Sequence, residues 1–222
     1  MNDATGGSEA AGHAVLMDRI YRRQRHIYDL TRKYYLFGRD TMLDSLGLPG
    51  TGAGSAVLEI GCGTGRNLAR LRRRWPGAAL FGLDISAEML ASARDRLGPG
   101  AVLARGDAAG FDAQGLFGRS RFDRIVMPYC LSMIPPWRAA LDHASGLLAR
   151  NGSLHIVDFG DLAGLPGPLA VGLRRWLGRF HVSPRSDLIA EAMALAARRG
   201  LACAGTMHWG GYWQAVTLTR PI

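Results

Sequence analysis

Lysine is almost missing from this chain. Of its 27 basic residues, Lys33 is the single lysine and the rest are arginine. So strong a skew reflects composition, and the net charge of +9 therefore says less than the places where the arginines stand. Cysteine is also scarce, with Cys62, Cys130 and Cys203 widely spaced and no C-x-x-C pair. An odd, scattered set gives no disulfide framework and no thiolate metal site, and it fits reduced thiols in a cytosol. No run of 18 apolar residues occurs, so no membrane span is expected. The nearest approach, Leu162 to Leu173, is broken by Gly164, Pro166, Gly167, Pro168 and Gly172. Residues 1–12 lack the basic start and apolar centre of a signal peptide and are expected to form a disordered tail. No internal repeat is evident. The length of 222 residues suits one α/β domain with a proper core.

What is present centres on Val57-Leu58-Glu59-Ile60-Gly61-Cys62-Gly63-Thr64-Gly65-Arg66-Asn67. A short apolar run ends in three glycines at alternate positions, and a helical pattern follows. This reads as a parallel strand, a tight loop and a helix N-terminus. Glycine lets a ligand approach the loop backbone, and the first turn of the helix offers unpaired N–H groups. The dinucleotide fingerprint G-x-G-x-x-G does not fit, because Arg66 stands at its third glycine and Gly65 comes one residue early. The phosphate-loop pattern fails for want of a lysine. A second apolar run, Leu80 to Ile85, carries Asp84, which can accept both ribose hydroxyls at a strand end. A third, Ala101 to Ala104, leads to Gly106-Asp107, where an acid can accept from an adenine amino group. Each has a bland alternative: an ordinary loop, a helix cap and a turn former. Their order and spacing together favour a nucleoside-bearing cofactor.

The pattern E-x-G-x-G-x-G resembles the first motif of class I S-adenosylmethionine-dependent methyltransferases. That resemblance implies a cofactor site made of Glu59, Gly61, Cys62, Gly63, Gly65, Asp84, Ile85, Asp107 and Met127, with S-adenosylmethionine as cofactor and no metal. Glu59 would orient the ammonium of the methionine tail, directly or through water.

Periodicity predicts the arrangement. A long helix is expected over Val15 to Tyr35, as part of an N-terminal helical lid spanning 13–50. Residues 51–222 then form the methyltransferase domain. Strands are expected near 56–61, 79–84, 101–105, 122–127, 153–159, 201–208 and 212–219. Helices are expected near 66–75, 87–97, 137–148 and 187–199, with Ser86 as an N-cap and Asn151-Gly152 as a turn. Residues 160–185 form a basic insertion rich in glycine and proline. The alternation predicts an α/β, seven-stranded Rossmann-like sheet, mainly parallel, with an antiparallel C-terminal hairpin.

A narrower resemblance lies partly outside that core. The run Met17 to Asp40 (MDRIYRRQRHIYDLTRKYYLFGRD), Tyr129 to Pro135 (YCLSMIP), Val157 to Asp161 (VDFGD) and Phe180 to Arg185 (FHVSPR) resemble the bacterial diacylglyceryl-homoserine N-methyltransferases of betaine-lipid synthesis. It implies repeated methylation of one lipid-headgroup amine at the cytosolic face of a membrane. Tyr21, Arg25, Tyr28, Arg32 and Tyr35 fall on one helical face. Tyrosine rings can hold methylated ammonium groups, and arginines can pair with a carboxylate or with lipid phosphates. Core contacts and solvent-facing charges are the bland alternative. Tyr21, Arg25, Tyr35, His181 and Arg185 are read as substrate-binding. Tyr28 would close over the cofactor, with Arg32 at its carboxylate. Tyr129 would orient the amine and Asp158 would accept its proton, with His26 a lesser alternative and His155 structural. His208, Trp209, Tyr212 and Trp213 read either as a rim for substrate or as hairpin packing. Two arginine clusters, Arg19 to Arg39 and Arg174 to Arg185, suit an anionic membrane surface. No nucleic acid is expected, because Met127-Pro128-Tyr129 lacks the Asn/Asp-Pro-Pro-Tyr of nucleic-acid amine methyltransferases. A methyltransferase for a soluble small molecule, or a non-catalytic cofactor or nucleic-acid binder, remains the alternative.

Overall fold

The computed structural model describes residues 36–180 and 182–222. The tail 1–12 and the helix expected over Val15 to Tyr35 lie outside the described residues. So do Tyr21, Arg25, His26, Tyr28, Arg32, Tyr35 and His181.

The elements run α1 (Arg39–Asp44), β1 (Ala56–Ile60), α2 (Arg66–Arg74), β2 (Ala79–Asp84), α3 (Ala87–Leu97), β3 (Val102–Arg105) and α4 (Ala113–Phe117). They continue with β4 (Phe122–Pro128), α5 (Trp137–Gly146), β5 (Leu148–Phe159), α6 (Gly167–Gly178), α7 (Leu188–Arg199), β6 (Ala202–His208) and β7 (Trp213–Thr219). The seven strands form one sheet in the order β3-β2-β1-β4-β5-β7-β6. β1 to β5 pair in parallel, and β7 runs antiparallel to both β5 and β6. This is the expected Rossmann-like methyltransferase sheet. The strand order reverses between β1 and β4, and in such sheets a ligand crevice opens at the carboxyl ends beside that reversal.

β1 is buried along its whole length, as a central strand covered on both faces should be. Alternate residues feed opposite apolar layers. Leu58, Ile60, Ile125 and Ile156 join one layer, while Val57, Val126 and Val157 join the other. β7 has one face buried and one partly exposed, so its burial alternates residue by residue. Ser86 caps α3, its hydroxyl accepting from Met89 N–H at 3.3 Å.

The six residues of α1 are too few to be stable alone. Leu43 is fully buried and Met42 nearly so. Arg70 of α2 meets Asp44 through two hydrogen bonds of 3.1 and 2.5 Å. Arg124 of β4 donates to the carbonyls of Leu46 and Gly47 at 2.6 and 3.1 Å.

Two expectations change in the structure. The turn expected at Asn151-Gly152 is a bulge inside β5, which starts at Leu148. The register against β4 jumps from Phe122↔Leu148 to Arg124↔Ser153. Asn151 takes φ 60°, and a Cβ on Gly152 would lie 2.9 Å from the Ala149 carbonyl oxygen. The basic insertion at 160–185, where no helix is expected from periodicity, contains the twelve-residue α6. Pro166 and Pro168 fall at its N-terminus, where proline is compatible with helix.

Candidate active site

The loop from β1 to α2 needs its glycines. Gly61, Gly63 and Gly65 have φ of 73°, 52° and 72°, a region costly for residues with a Cβ. A Cβ on Gly61 would stand 2.7 Å from Cys130 Cβ, and one on Gly65 would stand 2.8 Å from Leu97 Cδ1. A Cβ on Gly63 would meet nothing within 4 Å. Gly63 therefore faces the side from which a ligand can reach the backbone, whereas its two neighbours serve internal packing. Cys62 is buried, and burial pushes its thiol well above the ordinary range. It fills the loop and is no reactive thiolate.

Asp84 ends β2 and organises this corner. Its Oδ2 accepts from Gly63 N–H at 2.7 Å and its Oδ1 from Ser86 N–H at 2.9 Å. A carboxylate has about four acceptor sites, which suits a strand-end acid to accept ribose hydroxyls. Ile85 beside it is half-buried. Asp107 follows β3, and its Oδ1 accepts from Ala109 N–H at 2.9 Å. The turn-former reading of Asp107 is thus realised, at the same edge of the sheet as Asp84.

Glu59 is the most unusual group here. Its side chain lies in β1 with no exposure. Asn67 Nδ2 donates to its Oε1 at 2.7 Å. Among the described residues, Glu59 Oε2 and Asn67 Oδ1 are buried without a hydrogen-bond partner. Burial raises the Glu59 carboxyl to about 8, against the pull of the Asn67 amide and the Arg39 charge. Two buried, unmatched acceptors beside a glycine loop fit a donor that arrives with a ligand, and an ammonium supplies that donor. Arg39 is buried on α1, with its Nε 3.2 Å from Asp40 Oδ1. A cation near an acceptor pair suits a zwitterionic methionine tail, its ammonium toward Glu59 and its carboxylate toward Arg39. These residues fit S-adenosylmethionine. The sequence reading passed over Asn67 and Arg39. Asn67 was visible only as a polar residue two positions after the last loop glycine, and Arg39 as the last member of a basic cluster.

The residues after β4 and β5 are drawn into the fold. Tyr129 is buried. Its hydroxyl donates to the Phe37 carbonyl at 2.5 Å, and its ring meets Phe159 edge-on at 4.8 Å. Burial raises its phenol well above the ordinary range. Its φ of 55° is costly for an aromatic residue, and Tyr129 N–H donates to the Val157 carbonyl at 2.7 Å. Met127 is fully buried in an apolar layer, so its side chain fills the core. Asp158 is also fully buried. It accepts from Ser132 N–H at 3.0 Å and Phe159 N–H at 2.8 Å, and burial raises its carboxyl. Arg185 is half-buried. It donates to the carbonyls of Leu131 and Ile134 at 3.2 and 2.9 Å, strapping the chain at 182–185 to the turn after β4. His155 is buried against Ser153 Oγ at 2.8 Å and is lowered to about 4 by burial, so it stays neutral and structural.

The aromatic residues of the C-terminal hairpin pack on the start of the described chain. Phe37 lies 4.4 Å from the Trp209 ring and 5.5 Å from Tyr212. His208 stacks on Trp213 at 3.8 Å. Gly38 lies flat on the Trp213 indole, which any Cβ would strike. Among the described residues no cluster of three metal-ligating side chains occurs, and no helix is long and apolar enough to cross a membrane.

Known proteins share this fold and part of this sequence. A family model described as a methyltransferase domain matches residues 57–152. The malonyl-[acyl-carrier protein] O-methyltransferase of Magnetococcus marinus is 36% identical over 107 residues, 47% of this chain and 38% of that protein. The demethylmenaquinone methyltransferase of Tropheryma whipplei is 29% identical over 153 residues, 66% of this chain and 60% of that protein. The chain thus spans less than two thirds of the length of these relatives. Among solved structures, phosphoethanolamine N-methyltransferase 2 of Haemonchus contortus, bound to S-adenosyl-L-methionine, superposes with a TM-score of 0.68 at 15% identity. That superposition covers 83% of this chain and 52% of that one. Residues 57–152 thus match a methyltransferase-domain family, and the sheet order, with the glycine corner after β1, is that of the class I S-adenosylmethionine-dependent methyltransferase fold.

Proposed function

We propose that the chain is a working N-methyltransferase whose acceptor is the amine of a lipid headgroup, diacylglyceryl homoserine, converted to the trimethylated betaine lipid. The reading rests first on the motifs shared with that family. The observation that carries it is the stretch 162–186, which holds four arginines and no acid and is fastened at the carboxyl ends of β4 and β5. Ser183 N–H donates to the Ser132 carbonyl at 2.9 Å there. An acceptor must meet the methyl group at those strand ends, and arginines beside it favour phosphates and carboxylates.

Bound S-adenosylmethionine supplies a methyl carbon made electrophilic by its sulfonium. The chain's own task is alignment: to hold the amine lone pair in line with that carbon at short range. The glycine loop, Asp84 and the Glu59–Asn67 acceptors fix one partner. The amine must be neutral to react, so a proton has to leave it. Asp158, with its raised carboxyl, is the acceptor on the described elements. It lies behind Ser132 and Phe159, so the turn after β4 has to give way or pass the proton on.

A soluble acceptor is the second reading. It is favoured by the malonyl substrate named for the Magnetococcus relative. Lipid analysis after expression beside an enzyme that makes diacylglyceryl homoserine separates the two. Accumulation of the trimethylated lipid supports the proposal, and an unchanged lipid profile with active, folded protein overturns it.

A further inference from the structure

α6 does not look like an ordinary surface helix. Its inner side is held by Ala170 and Leu177, both buried. Its outer side mixes exposed aliphatic side chains with arginines, where solvent-facing helices are polar throughout. Leu169 is 58% exposed and Val171 54%, one on each margin of that side. Trp176 follows Leu169 at i+7 on the same flank, and its ring meets that of Phe180 at 5.1 Å, both packed against the core layer. Arg175 and Arg179 project between that flank and Val171, and both are exposed. Arg174 reaches back to the Asp161 carbonyl at 2.6 Å. No acid occurs between Asp161 and Asp187, so α6 carries no acid of its own to offset the arginines.

Exposed leucine and valine beside arginine, with tryptophan at the edge, match the boundary between headgroups and acyl chains. Aliphatic tips enter the apolar side, while guanidinium groups stay level with phosphates. A protein partner with an acidic surface would satisfy the arginines but leave Leu169 and Val171 without an apolar counterpart. An anionic bilayer satisfies both.

The placement of the helix gives the contact a use. α6 follows the carboxyl end of β5 directly, and Leu177 and Val182 are buried in the same layer as Tyr129 and Phe159. The backbone beside it is pinned to the hairpin turn, with Leu162 N–H donating to Gly211 O at 2.9 Å and Gly164 N–H to Gly210 O at 2.8 Å. The helix is therefore a fixed part of the rim around the strand ends, and a surface that meets it also meets the mouth of the crevice.

We propose that the outer face of α6 docks on an anionic lipid bilayer, with Leu169 and Val171 entering its interface and Arg175 and Arg179 pairing with lipid phosphates. This deepens the lipid-acceptor reading by naming the element that brings the crevice to the membrane. It can also fail or hold independently of that reading.

The test uses the full chain, without cofactor, and vesicles free of any amine-bearing acceptor lipid. One set contains phosphatidylglycerol mixed with phosphatidylcholine, and the other phosphatidylcholine alone. The expected result is co-sedimentation with the phosphatidylglycerol vesicles that weakens as salt rises. Leu169→Glu with Val171→Glu, and separately Arg175→Glu with Arg179→Glu, should each reduce binding at least about tenfold. Both pairs should leave the melting temperature and far-ultraviolet dichroism unchanged, because these side chains are exposed. Wild-type binding by either pair overturns the proposal, as does equal binding to phosphatidylcholine. A fall in melting temperature for the Leu169/Val171 pair means that the chain itself covers the face. A change in sedimentation coefficient without vesicles means that a second copy covers it. Either result also overturns the proposal. Docking without any methylated lipid in cells would remove only the acceptor assignment, and methylated lipid without docking would remove only this one.

Discussion

Glu59 makes cofactor binding depend on pH. In the ligand-free fold its carboxyl titrates near 8 because it is buried, so at neutrality it is largely protonated. An ammonium brought against Oε2 favours the charged form, and binding near pH 7 should release up to about one proton. Calorimetry in buffers of different ionisation enthalpy measures this. Glu59→Gln should abolish the buffer dependence, and 5′-methylthioadenosine, which lacks the amino-acid tail, should show none. The same raised value has a consequence for the ligand-free fold. Folding favours protonated Glu59, so its contribution to stability is full below the unfolded value of about 4.5 and is lost as pH rises through 8. Glu59→Gln should flatten that part of the stability profile. A proton release unchanged in the variant would place the ammonium elsewhere.

At the scale of elements, the corner between β1 and α2 separates two uses of glycine. Gly65→Ala meets both a left-handed backbone and Leu97 at 2.8 Å, so it should destabilise the fold by about 2–3 kcal/mol in urea titration. Gly63→Ala meets only the backbone cost, about 1–2 kcal/mol, but it places a methyl group where the ligand approaches. Its larger effect should be on S-adenosylmethionine affinity. Equal effects of the two variants on binding would contradict that division. The sequence made this corner legible because a strand, three alternate glycines and a helix each leave a local signature. β1, β2 and β4 were equally visible as apolar runs ending in a glycine, an acid or a proline. α6 was not, because its glycines and prolines masked a helical period that only burial of Ala170 and Leu177 reveals. The hydrogen-bond partners of Tyr129 and Arg185 were hidden for a related reason. Residue type announced an orienting ring and a phosphate ligand, but Tyr129 is drawn to the Phe37 carbonyl and Arg185 to two carbonyls that are distant in sequence. Side-chain bonds to the backbone across 92 and about 50 residues leave no periodic mark.

For the whole molecule, the cofactor corner is where several elements meet. Asp84 ties β2 to the loop after β1, Glu59 and Asn67 tie β1 to α2, and Arg39 brings α1 to the same point. A ligand seated there should stabilise the fold globally. S-adenosylmethionine at about 100 times its dissociation constant should add about 2.7 kcal/mol, a rise of roughly 5–10 °C in the melting temperature for a chain of this size. Asp84→Asn keeps a side chain able to accept one backbone N–H but loses the charge toward the ribose. It should cut affinity roughly 10- to 100-fold, and the thermal shift should shrink with it. A full shift in Asp84→Asn would remove Asp84 from the cofactor site.

The hydroxyl of Tyr129 holds the chain at Phe37, ahead of α1, and Arg124 holds it again at Leu46 and Gly47, behind α1. The short helix is thereby clamped at both ends by side chains 92 and 78 residues away in sequence. Releasing either clamp would loosen the seat of Arg39 without disturbing a single strand of the sheet.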